Sequence, residues 1–163
     1  MHRALWSLTL FILLGFLGFF MGCGPNPPFA PFGSTIAFEE ELGDVDIPPG
    51  TVIVETVRAQ VLDPDGFPLN DVIVEFDLTF AGEDDLLIDT DGDGIPDAPA
   101  IQLLTEDDVP VVSPFETTTD NRGVATVKIR MTGDVVIDPT TFTASLENGT
   151  AASFEFSVNA GGG

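Results

Sequence analysis

The chain has 163 residues and carries 27 Asp and Glu against 5 Lys and Arg, a formal net charge of −22 at pH 7. That length suits one domain with one sizeable core, and that charge argues against nucleic acid as a partner. The single His is His2 and the single Cys is Cys23. A Ser-His or Cys-His nucleophile and a His/Cys zinc site are therefore excluded from the body of the chain, and no catalytic pair stands out among so many carboxylates. The chain is expected not to be an enzyme.

Met1 to Cys23 has one basic residue, Arg3, then an apolar run from Ala4 to Met21, then Gly22-Cys23. This is a secretory signal and does not belong to the fold. Its ending, Phe20-Met21-Gly22-Cys23, resembles the lipobox of bacterial lipoproteins, in which the Cys becomes lipid-modified and the peptide before it is removed. The small residue and the Cys match; Phe20 stands where that family usually has Leu. The resemblance implies a signal peptide over 1–22 and lipidation at Cys23. The alternative is an uncleaved anchor, since about 18 apolar residues just span a bilayer. In either case the body is exported and held at a membrane. With Arg3 removed, its side chains carry 4 − 27 = −23. Residues 23–34 include four prolines and predict an extended tether, about 30 Å long at roughly 3 Å per residue. Gly24 is not the Asp that retains lipoproteins in the inner membrane, so the resemblance favours the outer membrane or cell surface.

Beyond the tether, Thr35 to Phe38 reads as a short edge strand and Glu39 to Gly50 as a loop. Thr51 to Leu62 is a long strand whose apolar parity shifts between Val54 and Val57, the mark of a bulge. Val72, Val74, Phe76, Leu78 and Phe80 alternate with polar or outward residues, a period of two with one buried face. Between these strands, Asp63-Pro64-Asp65-Gly66 has the residues of a tight turn, predicting either a hairpin or a sandwich corner. Later, Asp120-Asn121-Arg122-Gly123 is a turn leading into Ala125, Val127, Ile129 and Met131. Asn148-Gly149 joins a strand with Phe142, Ala144 and Leu146 to one with Phe154, Phe156 and Val158. Residues 160–163 are expected to be a disordered tail. The predicted core is Val57, Ala59, Val61, Val72, Val74, Phe76, Ala125, Val127, Ile129, Phe142, Ala144, Phe154 and Phe156.

About seven alternating strands with no helical period predict an all-β, antiparallel Ig-like β-sandwich over 35–159. Asp63-Pro-Asp-Gly-Phe-Pro68-Leu, Val72-Ile-Val-Glu-Phe76, Thr119-Asp-Asn-Arg-Gly-Val-Ala-Thr-Val127 and Phe142-Thr-Ala-Ser145 resemble the bacterial Ig-like domains of invasin and intimin. The family's connection between the Phe76 and Thr119 strands is much shorter than here, so residues 81–116 read as a long acidic insertion.

Within the insertion runs Asp89-Thr90-Asp91-Gly92-Asp93-Gly94-Ile95-Pro96-Asp97. Carboxylates at alternate positions followed by Gly let a chain wrap a hard cation, with Ca²⁺ the natural candidate. The run also resembles the calcium loops of thrombospondin type 3 repeats. That resemblance implies side-chain ligands at Asp89, Asp91, Asp93 and Asp97 and a carbonyl ligand at Ile95. Ala100 replaces the acid expected at position twelve, so water or another acid (Glu83, Asp84, Asp85, Glu106, Asp107 or Asp108) must complete the shell. The alternative is an acidic Asp/Gly loop without an ion. The functional expectation is a lipid-anchored surface module with a structural or adhesive role, as the invasin-like resemblance implies. The other reading is a module that binds a glycan or an exported protein through the inserted loop. A carboxylate-based hydrolase has least in its favour.

Overall fold

The computed structural model describes residues 29–80, 87–88 and 98–161. The signal segment, Cys23, the 89–97 run and Gly162-Gly163 lie outside them. Twelve strands occur among the described residues: β1 (Thr35–Phe38), β2 (Val45–Ile47), β3 (Val52–Leu62), β4 (Ile73–Phe80), β5 (Leu87–Ile88), β6 (Ala98–Pro99), β7 (Ile101–Leu104), β8 (Pro110–Val111), β9 (Phe115–Thr118), β10 (Val124–Thr132), β11 (Ile137–Ser145) and β12 (Ala151–Ala160). They form two five-stranded sheets, in the order β1-β3-β10-β7-β8 and β2-β12-β11-β4-β9, with β5 and β6 as a separate pair. Pairings are antiparallel except for β2, which runs parallel to β12. The result is the all-β sandwich that the alternating strands predict.

Each long strand turns alternate side chains into the space between the sheets, because successive Cβ atoms point to opposite faces. Ala125, Val127, Ile129 and Met131 of β10 and Val74 and Phe76 of β4 are fully buried, and every member of the predicted core is inside. Rings organise the middle of it. Phe142 on β11 stacks on Phe76 at 5.6 Å and lies 5.4 Å from Phe154. Phe38, from β1 of the opposite sheet, meets Phe154 edge-on at 4.8 Å and Phe142 at 5.7 Å. Such contacts bind the sheets beyond what area burial alone supplies.

One choice left open by the sequence is decided, and three of its readings change. First, β3 and β4 lie in different sheets, so the Asp63–Gly66 turn belongs to a sandwich corner and not a hairpin. Second, β3 carries no bulge: it pairs with β10 without a break from Gln60↔Val124 to Val52↔Thr132. Val52 and Val54 are outward-facing and 46% exposed, which mimics a parity shift. Third, the stretch read as an insertion supplies β7 and β8 to one sheet and β9 to the other, with Ala100, Ile101, Leu103 and Leu104 buried. Fourth, both ends of the domain are more ordered than expected. Val45–Ile47 pairs with Val158–Ala160, and Gly161 N donates to Ile47 O at 2.8 Å, within the stretch expected to be a tail. Ala30 and Ser34 are buried, and the Asn148 amide donates to Pro31 O at 3.0 Å, so the end of the predicted tether is packed on the sandwich.

The strand directions define two poles, about 30 Å apart over the nine residues of β10. At the entry pole lie Phe29–Ser34, the 63–71 corner, the 120–123 turn and Asn148-Gly149. At the far pole lie Pro48–Gly50, Phe80, Ala100 and the link from Gly133 to Val136. There a Cβ on Gly133 would sit 2.3 Å from Ile47 O, so only glycine allows that approach. Phe76→Ala should cost about 3–5 kcal/mol in urea unfolding, the range for truncating a fully buried aromatic. A loss under about 0.5 kcal/mol, typical of exposed sites, would contradict this packing.

Candidate functional site

The site is best built from the turn that feeds β10. Thr119 is buried, and its hydroxyl donates to Leu69 O at 2.6 Å while accepting from Val72 N at 3.0 Å. The next residue, Asp120, folds its carboxylate over its own turn. Oδ1 accepts from Arg122 N at 2.8 Å and Val124 N at 3.0 Å, and Oδ2 takes the Arg122 guanidinium at 3.1 Å. The Val124 amide first, then the Arg122 amide and guanidinium, hold the Asp120 carboxyl below its ordinary value. Asp134 at the far pole is lowered in the same way, by the Thr132 hydroxyl and then Gly50 N–H.

Beside this turn is a cleft of about 390 Å³ lined by Arg58, Thr117, Thr118, Thr126, Arg122 and Glu106, among others. Arg58 stands on the outer face of β3 directly across from Thr126 of β10. Among the described residues Arg58 has no ion pair, whereas Lys128 nearby is spent on Asp108 at 2.7 Å and Glu106 O at 2.6 Å. A free guanidinium beside a row of hydroxyls suits a polyhydroxylated or acidic ligand. A second, shallower depression lies on the outer face of the other sheet, where Glu75 faces Glu116 across β4 and β9 and Glu147 closes the rim. Among the described residues, no group of three or more His, Cys, Asp or Glu is arranged to hold a metal ion.

The residues singled out from the sequence divide by position. Cys23 and the loop residues Asp89, Asp91, Asp93, Ile95 and Asp97 lie outside the described residues, as do Glu83, Asp84 and Asp85. Ala100, at position twelve of the loop, is buried and its carbonyl accepts from Thr132 N at 3.1 Å. Position twelve is therefore apolar because it has become sandwich core. Glu106, Asp107 and Asp108 sit at the other end of β7 from Ala100, and Asp108 is already paired. Sequence reasoning missed the cleft. Arg58, Arg122, Lys128 and Arg130, the four cations after Cys23, all lie on or beside one sheet, an arrangement that only the strand pairing reveals.

No protein-family model matches this chain, and no curated protein matches its sequence. Among solved structures, the chain is similar to an ASH/PapD-like domain of human CEP192, at 12% identity over 86% of this chain and 94% of that one, with a TM-score of 0.42. It is also similar to a conjugative transposon lipoprotein from Bacteroides eggerthii, at 11% identity over 79% of this chain and 99% of that one, with a TM-score of 0.45. At these values neither likeness bears on function.

The Asp120 turn makes a pH-dependent prediction. A carboxyl whose folded pKa is depressed stabilises the fold fully above its unfolded value, about 3.9, and that contribution fades as pH falls through the folded value. The stability difference between the native chain and Asp120→Asn, measured by urea unfolding, should therefore be level from pH 7 to 5 and shrink below about pH 4. A difference as large at pH 3 as at pH 7 would mean that the charge on Asp120 contributes nothing.

Proposed function

We propose that the chain is an exported, lipid-anchored β-sandwich module with a structural or adhesive role at a bacterial cell surface, of the invasin and intimin type. The observation that carries this reading is Gly22-Cys23, closing an apolar signal six residues before Phe29. The arrangement of the fold supports it. The chain enters at one pole, while Phe80 and Ala100, the residues flanking the acidic stretch, stand at the other. A module held by its entry pole turns that stretch outward, where long connections commonly do their work. The same geometry supports the second reading, recognition of a glycan or an exported protein, and the Arg58 cleft adds a polar site suited to it. No enzymatic step is part of either reading.

Calcium belongs to this proposal. The donor set from Asp89 to Asp97 is all oxygen, as a hard cation requires, with Asp89, Asp91, Asp93, Asp97 and the Ile95 carbonyl as ligands. With alanine at position twelve no carboxylate completes the shell there, which supports an affinity in the weak range of extracellular sites, about 10⁻⁴ to 10⁻³ M. The ion would neutralise crowded charge and order the loop, while the sandwich, whose core lies elsewhere, would not depend on it.

Two measurements test these points. Mass spectrometry of the native N-terminus should find a chain beginning at a lipid-modified Cys23; an unmodified Cys23 with Met1 still attached would overturn the anchor. Calorimetry should find one weak calcium site that Asp91→Ala with Asp93→Ala abolishes while the far-UV spectrum is unchanged. Undiminished binding by the double variant would move the ligands to other acids.

A further inference from the structure

The phenylalanines of the described residues fall into two groups. Phe38, Phe76, Phe80, Phe115, Phe142, Phe154 and Phe156 are buried in the core or packed against it. Phe29, Phe32 and Phe67 are exposed, at 54%, 95% and 67%, and all three stand at the entry pole. Their exposure is built in. Phe32 sits at the tip of a turn closed by Ser34 N to Pro31 O at 3.1 Å, reinforced by the Ser34 hydroxyl at 2.8 Å and the Asn148 amide at 3.0 Å, both donating to Pro31 O. Phe67 leaves the Asp63 turn, where its own N–H is held by Asp63 Oδ1 at 2.8 Å. The two turns lie side by side: a Cβ on Gly33 would come within 3.4 Å of Pro64 Cγ.

Chain length limits how far this pole can stand from Cys23. Ala30 is buried and Cys23 precedes it by seven residues, so no arrangement of the intervening chain places the pole more than about 25 Å from Cys23. We infer that Phe29, Phe32 and Phe67 seat the entry pole on the lipid bilayer, their rings entering the headgroup boundary, so that the sandwich stands upright with its far pole outward. Aromatic and apolar side chains partition to that boundary when a second attachment holds them there. The carboxylates nearby set the lipid preference. Asp63 and Asp120 are turned into their own turns, but Asp65, Asp71 and Glu147 are exposed. Zwitterionic headgroups are favoured over anionic ones. The inference rests on the chain being held at a membrane by its N-terminal segment.

The test uses the full chain with Trp6→Phe, exported, purified from membranes and reconstituted into phosphatidylcholine vesicles with brominated acyl chains. A lone tryptophan is placed by Phe67→Trp, or by Val136→Trp at the far pole. Bromine should quench the first at least about twice as strongly as the second, and exchanging half the lipid for phosphatidylglycerol should weaken that quenching at low salt. Equal quenching at the two sites overturns the inference. So does a blue-shifted Phe67→Trp emission that bromine leaves untouched, which would put the rings against a second copy or another protein. The N-terminal mass of the same sample separates the failures: an anchored chain without quenching refutes the seating alone, whereas an unanchored chain refutes the anchor and the seating together.

Discussion

The constraint on which the rest of the sandwich depends is the crossing from β3 to β4. Nine residues, Asp63 to Asp71, must carry the chain from one sheet to the other, and apart from one bridge between Leu62 and Pro68 their backbone groups join no strand ladder. The corner itself, the end of β3 and the β9–β10 turn share the work of satisfying them. Val61 N donates to Gly123 O at 2.7 Å, Leu69 N donates to Val61 O at 3.1 Å, and Asp71 N donates to Thr119 O at 3.0 Å. The Thr119 hydroxyl then bridges Leu69 and Val72. Gly123 has φ +75°, and a Cβ there would lie 2.7 Å from Val61 O, so two requirements meet on one residue. The corner also accepts a left-handed Asp71, at φ +58°, a conformation Asp tolerates better than most residues.

Charge is distributed by the same two-sheet plan. The outer face of β3 and β10 carries Arg58, Lys128 and Arg130, and Arg122 lies in the turn that leads into β10. The outer face of β4, β9 and β12 carries Glu75, Asp77, Glu116 and Glu155 with no cation among the described residues. Among the described residues most carboxylates stand exposed in turns and connections or on the outward side of strands, where mutual repulsion is screened by water and salt. The exceptions are carboxylates used as local acceptors. Asp63, Asp77, Asp120 and Asp134 each accept from a backbone amide or a hydroxyl, which turns part of the acidic surplus into turn and edge structure.

What was legible in the sequence follows from how strictly a strand alternates. β4, β10, β11 and β12 were read with the right inward residues because each lies beside neighbours on both sides and buries one face. β7 was missed because Leu104 breaks the alternation. It is on the outward side of its strand yet buried, beside the turn that holds Glu106 and Asp108. β2 was missed because three residues in a parallel edge pairing leave no period to read. The corner and a hairpin share one turn motif, so the choice between them lay in distant contacts such as Thr119 to Leu69. The cleft beside Arg58 was illegible for the same reason: its residues come from β3, β9, β10 and the β7–β8 turn.

The four edges of the two sheets are β1, β8, β2 and β9, and they hold four, two, three and four residues. The longest strands, β3, β12, β10 and β11, are all interior. A protein confined to a surface meets its own copies at high effective concentration, the setting in which open sheet edges zip together. β1 covers only Ala59–Leu62 of β3, and β2 only Val158–Ala160 of β12, so among the described residues the other halves of these two long strands have no ladder partner on that side. Wherever copies crowd together, those two stretches, and not the short edge strands, are where a neighbouring chain can add a strand.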